Sequence, residues 1–232
     1  MAVVAFAGSR SLPFDRHTVE EVSRVVAAVV AAGRTIAVGC SVGADAAVLS
    51  CRLALPFPES TSGSALRVFA VGGKEGEKMT GFWSGSAVSV VSDAAELARS
   101  PGHGCFAPVQ MNWWAGGEHA VLLRRRLAAR SSACVAAAAA GGKGSGFIAF
   151  TWVGPSVGTW RSARLAAAAG LPVIVFPCGG AEFKSLAPGG RWVQAGSGVW
   201  SWACRWVPAG GEVGLGWGVG WGWESVGGGG FW

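Results

Sequence analysis

Thr35-Ile36-Ala37-Val38-Gly39-Cys40-Ser41-Val42-Gly43-Ala44-Asp45 is the stretch on which the fold turns. Its first residues have buried-strand character, a glycine-spaced turn follows, and a helix opens near Asp45. Gly39 and Gly43 carry no Cβ, so a ligand can approach the backbone N–H groups of the turn. The helix aims its unpaired amides and positive dipole end at the same spot. The expectation is a strand, an anion-binding turn and a helix.

Working outward, Val3 to Ala7 is a continuous apolar run, as expected of a central parallel strand covered on both faces. It ends in a second glycine turn, Gly8-Ser9-Arg10. Thr18-Val19-Glu20-Glu21 reads as a capping box, Val19, Val22, Val26, Val29 and Val30 as a helical stripe, and Gly33 as its stop. Downstream, a helix over 45–54 carries Val48, Leu49 and Leu53, and 56–64 is a loop. Leu66 to Val71 is a third apolar strand, closing with Gly72-Gly73-Lys74. Three strands with two intervening helices predict an α/β fold: a Rossmann-like, doubly wound, mostly parallel sheet with helices on both faces. Such sheets bind ligands at their carboxyl edge, where Lys74 joins the two earlier turns.

Residues 75–117 are less patterned. Ser86 to Ala98 reads as a helix, and Pro101 to Gly104 and Met111 to Gly117 as loops. Glu118 to Arg130 reads as a helix with the Arg124–Arg126 run toward its far end, and Cys134 to Ala139 as a fourth strand. A turn at Gly141 to Gly146 precedes a strand at Phe147 to Val153. Gly154 to Gly158 leads into a helix at Thr159 to Ala169, stopped by Gly170 before a buried strand at Leu171 to Phe176. The organisation is a domain over 1–180, a Trp-rich strand-like extension over 181–207 (pieces at Arg191 to Gln194 and Val199 to Val207), and a Gly/Trp tail over 208–232. From Gly210 onward the tail has no helix or strand period and is expected to be disordered or loosely attached.

The 232 residues are 51% apolar and 14% charged, a globular composition. No apolar run approaches the ~20 residues of a membrane span. The opening Met1 to Ala7 lacks a basic region and a cleavage site, so it reads as a strand and not a leader. A cytoplasmic protein with no membrane partner is expected. Six cysteines are scattered without a C-x-x-C pair; the nearest Cys/His pairing is His103-Gly104-Cys105. They read as buried free thiols, with no metal or cofactor expected. Residues 124–207 carry ten basic side chains against Glu182 alone. That imbalance suits a phosphorylated or polyanionic partner and equally a solvated face.

G-x-S-x-G occurs twice between a strand and a helix, at Gly39–Gly43 and Gly154–Gly158, the context of a hydrolase nucleophile elbow. No histidine follows His119, so Ser156 is excluded in the order serine, acid, histidine. Ser41 keeps a formal hydrolase reading with Asp93 or Glu96 and His103 or His119, but backbone-approach glycines explain both copies more simply. No Walker pattern is present, and no G-x-G-x-x-G follows the first strand. Most of the thirteen tryptophans read as core, with Trp113, Trp114 and Trp160, beside predicted turns, the better candidates for stacking on a ligand. Asp45 reads either as a helix cap or as a ribose or base contact.

Taken together, several segments resemble the Smf/DprA–LOG (SLOG) superfamily, most of all the Rossmann-like domain of DNA-processing protein A (DprA). Gly8-Ser9-Arg10 is similar to its G-S-R turn, and Val38 to Asp45 to its S-G-x-A-x-G-I-D segment. Arg125-Arg126-Leu127 through Ala133 resembles its arginine-containing helix and the strand after it. Gly158 to Ala166, then Leu171 to Pro177, resembles its S-G-S-L-x-T-A-x-x-A helix and V-F-A-V-P-G strand. The resemblance covers about residues 2–180. It implies binding of single-stranded DNA or a nucleotide, with a homo-oligomer left open. The implied site is Gly8, Ser9, Arg10, Gly39, Ser41, Gly43, Asp45, Lys74, Arg125, Gly158, Thr159 and Arg161. Alternatives are a sensor of a nucleotide-derived messenger and a LOG-like nucleoside monophosphate phosphoribohydrolase. The LOG motif P-G-G-x-G-T is only partly kept in Gly154 to Thr159, and Trp160 to Leu171 holds no glutamate, so a non-enzymatic protein is expected.

Overall fold

A computed structural model describes residues 1–55, 66–75, 78–80, 85–99, 109–115 and 122–211. Its strands are β1 (Val3–Gly8), β2 (Thr35–Val38), β3 (Leu66–Glu75), β4 (Lys78–Thr80), β5 (Val109–Ala115), β6 (Gly146–Thr151), β7 (Val173–Pro177), β8 (Arg191–Gln194) and β9 (Cys204–Val207). The helices are α1 (Arg16–Ala31), α2 (Ala44–Ala54), α3 (Val88–Arg99), α4 (Leu123–Ala139) and α5 (Val157–Ala168). The sheet order is β5-β3-β2-β1-β6-β7-β9-β8. From β5 to β7 every neighbour is parallel, and β9 and β8 close one side antiparallel. This is the doubly wound, Rossmann-like arrangement expected from the βαβαβ pattern. No described helix is long and apolar enough to cross a membrane.

Alternation along the strands sorts two unequal cores. Val4, Phe6, Ile36, Val38, Ile148, Phe150 and Phe176 face α1, α2 and α3. Val3, Ala5, Ala37, Phe147, Ala149, Val173 and Val175 face α4 and α5. The alanines at the centre of this second face let α4 lie close to β1 and β2, which later brings an arginine onto Gly39. Helix α1 starts one turn before the expected box: Asp15 is the cap, its carboxylate accepting from Thr18 N–H at 2.8 Å. Gly33 ends it at φ +66°.

Three of the expected elements between β3 and β6 are overturned. Gly72-Gly73-Lys74 is not a turn, because β3 continues to Glu75 and pairs antiparallel with β4, Lys74 opposite Met79. The expected loop at Met111 to Gly117 falls on β5, which runs parallel to β3 from Leu66↔Val109 to Gly72↔Ala115. Cys134 to Ala139 is not a strand; it is the end of α4. Alanine is the best helix former, and Arg130, Cys134, Val135 and Ala138 make one buried stripe at helical spacing. The readings at 56–64 and 101–104, at Glu118–Val121 and at 212–232 lie outside the described residues.

The extension after β7 joins the sheet through β9, with Ile174 opposite Arg205 and Val175 opposite Cys204. The expected strand at Val199 to Val207 is a 3-10 turn, Gly198–Trp200, followed by β9. Its aromatics enter both cores. Trp200 and Trp202 lie 5.7 and 4.5 Å, centroid to centroid, from Phe176. On the other face Trp192 lies 5.3 Å from Trp206, 6.1 Å from Trp160 and 5.1 Å from Phe183. Trp160 is 3% exposed within this cluster, so it is core and not a stacking platform.

Candidate functional site at the carboxyl edge

Strand β1 is the switch point: the chain leaves it toward β2 on one side, and β6 flanks it on the other. The loops after β1 and β6 therefore face one crevice, the usual ligand position in such sheets. Ser9 N–H bonds to Phe150 O at 2.9 Å, fixing the two strand ends side by side. Ser9 is buried and Arg10 exposed on the crevice edge.

The β2–α2 turn is closed on the protein itself. Ser41 N–H donates to Asp45 Oδ2 at 3.1 Å, Val42 N–H to Gly85 O at 2.9 Å, and Ala44 N–H to Ser9 O at 3.1 Å. A Cβ at Gly39 would strike the Asp45 carboxylate and the Arg130 guanidinium. A Cβ at Gly43 would strike the carbonyls of Ser9 and Arg10, and one at Gly8 the Ala44 methyl and Phe150 O. These glycines let the turns after β1 and β2 pack on each other and on an ion pair. Gly43 also sits at φ +77°, where side chains are strained. Gly43→Ala is expected to lose on the order of 2 kcal/mol, read as a lower urea midpoint at unchanged slope.

The ion pair joins Arg130 of α4 to Asp45 of α2 at 3.5 Å, with side chains 10% and 6% exposed. Arg130 Nη1 also donates to Ser41 Oγ at 3.2 Å and Cys40 Sγ at 3.3 Å, and Nη2 to Ser131 Oγ at 3.2 Å. Burial pushes the Asp45 carboxyl above its ordinary range, against the downward pull of Arg130 and of the Ser41 hydrogen bonds. Burial, the largest single influence on Arg130, lowers it, but the Asp45 carboxylate together with the neighbouring Cys40 and Cys134 outweighs that and holds it above its ordinary value. The adjoining cavity, lined by Phe6, Gly39, Cys134 and Ser162 among others, measures about 20 Å³, room for about one water. Asp45, Arg130 and Ser41 thus fasten the turn to α4. Ser41, 7% exposed, accepts from Arg130 on its hydroxyl, and His103 and His119 lie outside the described residues.

The start of α5 is different. Ser156 is its N-cap residue, yet no side chain caps the helix. Ser156 is 6% exposed, and its Oγ has no hydrogen-bond partner among the described residues. A Cβ at Gly158 would meet open space, and Thr159 beside it is buried. The first amides of α5, a buried hydroxyl without a partner among the described residues and an unobstructed glycine come together where the chain leaves β6, the strand paired with β1. An oxyanion satisfies this set.

Arg124 to Arg126 do not lie at a helix end that welcomes cations. They occupy the first turn of α4, whose N-cap is Leu122 and which has no acidic residue there. Positive charge at the positive end of a dipole is unfavourable. Arg124 and Arg125 line a groove of about 530 Å³ with Ala128, Ala129 and Ser132 of α4 and Arg161 of α5. The structure thus brings Arg125 and Arg161 together, away from the Asp45 turn. Lys74 stands on the far side of the sheet in the β3–β4 pairing, and its side chain lies outside the described residues.

Sequence reasoning missed Arg130 and passed over Ser156. Arg130 was legible as the head of the stripe through Cys134 and Ala138, and Ser156 as the serine of the second G-x-S-x-G. The described cysteines are free thiols; burial pushes Cys134 and Cys178 up to about 12, and the described residues hold no cluster of metal ligands. Comparison with protein-family models, with curated proteins and with solved structures finds no match for this chain.

Proposed function

We propose that this protein is a SLOG-like, non-enzymatic binder of a phosphate-bearing ligand, a nucleotide or single-stranded DNA. The phosphate sits in the crevice between β1 and β6. The observation that carries the reading is the buried, unpartnered hydroxyl of Ser156 at the uncapped start of α5. Burying a polar group without a partner is costly, and a bound phosphate oxygen offers both the acceptor and the negative charge that this helix start lacks. Gly8, Ser9 and Arg10 form the opposite wall, and Val157 to Thr159 supply amides. Gly39, Ser41, Gly43 and Asp45 act one step back, holding the Gly8–Arg10 turn in place.

Gly158→Ala separates ligand binding from folding. The added methyl meets open space. Within a helix it should leave stability unchanged or raise it by up to about 1 kcal/mol. In a thermal-shift screen the wild type gains melting temperature with a nucleotide or a single-stranded oligonucleotide, and Gly158→Ala loses most of that gain. Retention of the full gain would place the ligand elsewhere.

A further inference from the structure

We infer that the seam between α4 and α5 is a second phosphate subsite, so the ligand carries at least two phosphate groups along a chain. This rests on the crevice reading above and extends it. Three arginines, Arg124, Arg125 and Arg161, line one groove, and among the residues lining it none is acidic. All three are exposed. The floor between them is Ala128, Ala129 and Ser132, short side chains that leave the groove concave at about 530 Å³. Arginine forks match phosphate oxygens.

A solvated helix start ordinarily carries Asp or Glu, because the dipole favours anions there. Helix α4 instead opens with Arg124, Arg125 and Arg126 and has no side-chain cap. Arg124 and Arg125 are gathered where the helix dipole repels cations, and an anion in the groove they line removes that repulsion for both at once. The groove and the α5 start are carried by one helix: Arg161 is four residues beyond Val157, the first residue of α5, about 6 Å along the helix axis. A single phosphate at Ser156 leaves the arginines unanswered. A chain of phosphates engages both subsites.

The test is an equilibrium titration of three probes against the wild type and against the triple variant Arg124→Gln, Arg125→Gln, Arg161→Gln. The probes are a nucleoside monophosphate, inorganic polyphosphate and a short single-stranded oligonucleotide. The wild type is expected to bind at least one phosphate chain about tenfold or more tighter than the monophosphate, with a steeper salt dependence. In the triple variant that advantage collapses, and the slope of log affinity against log salt for the oligonucleotide falls by about 2, near 0.7 per lost contact. If both chains gain, the subsite reads phosphates alone; if only the oligonucleotide gains, it reads the sugar or base as well. Equal binding of chain and monophosphate, or a triple variant that keeps the advantage, overturns the seam and leaves the crevice standing. No binding by any probe overturns the crevice reading and the seam with it. Arg161→Gln alone, expected to remove about a third of the slope change, keeps the test decisive if the triple variant folds poorly.

Discussion

Asp45→Asn is expected to destabilise the fold by about 3–5 kcal/mol, because it strands a buried guanidinium. Arg130 is always charged and cannot shed its proton. Its remaining partners, the Ser41 hydroxyl and the Cys40 and Ser131 side chains, carry no formal charge to balance it. For a domain of this size such a loss lowers the melting temperature by roughly 6–20 °C. The reciprocal change, Arg130→Met, is expected to be milder and to depend on pH. It strands a carboxyl that burial already pushes upward, and that carboxyl can neutralise itself by taking a proton. The folded value then lies above the ordinary 3.8. Stability from such a group is full below the unfolded value and is lost as pH rises through the folded one. The deficit of Arg130→Met against wild type should therefore be small near pH 4 and grow toward pH 7. Urea titrations of both variants at the two pH values check this; a pH-independent Arg130→Met deficit equal to that of Asp45→Asn would show that the carboxyl is not sequestered with the arginine.

Trp206→Ala is the second large effect, about 3–5 kcal/mol for removing a buried tryptophan. Trp206 is 9% exposed, packs edge-to-face with Trp192 and lies against the bare Cα of Gly190. It keys the β8–β9 hairpin onto the core that α5 covers. Because β9 pairs with β7, the damage should spread into the sheet. One cooperative transition at lower urea, seen alike by far-ultraviolet circular dichroism and by tryptophan fluorescence, is expected. Two separated transitions, with the sheet surviving the first, would show the hairpin to be an appendage.

The parts of the fold readable in sequence are those where one pattern acts alone. Apolar runs at Val3–Ala7, Leu66–Val71 (interrupted only by Arg67) and Leu171–Phe176, each followed by Gly or Pro, declare buried parallel strands without tertiary help. Where composition is degenerate the reading fails. The Cys134–Ala139 run suits a buried strand or the inner face of a helix equally well by hydropathy, and only Arg130 and Cys134 at four-residue spacing distinguish them. The β5 segment hides behind Asn112 and two adjacent tryptophans, because its pairing partner is β3 and not a neighbour in sequence. The site divides in the same way. Glycines announce close approach, but sequence does not say to what. At Gly39 and Gly43 the approaching groups are the protein's own, and at Gly158 the space is open.

The same distinction makes Ser156 and the α5 start the place to test. Backbone amide spectra recorded while a nucleotide or a single-stranded oligonucleotide is titrated report on this wall residue by residue. The expected result is saturable shifts at Ser9 and Arg10 and at Val157, Gly158 and Thr159, with Ser41 and Asp45 moving less. Binding that leaves residues 157–159 unshifted would contradict the assignment of the β1–β6 crevice as the phosphate site.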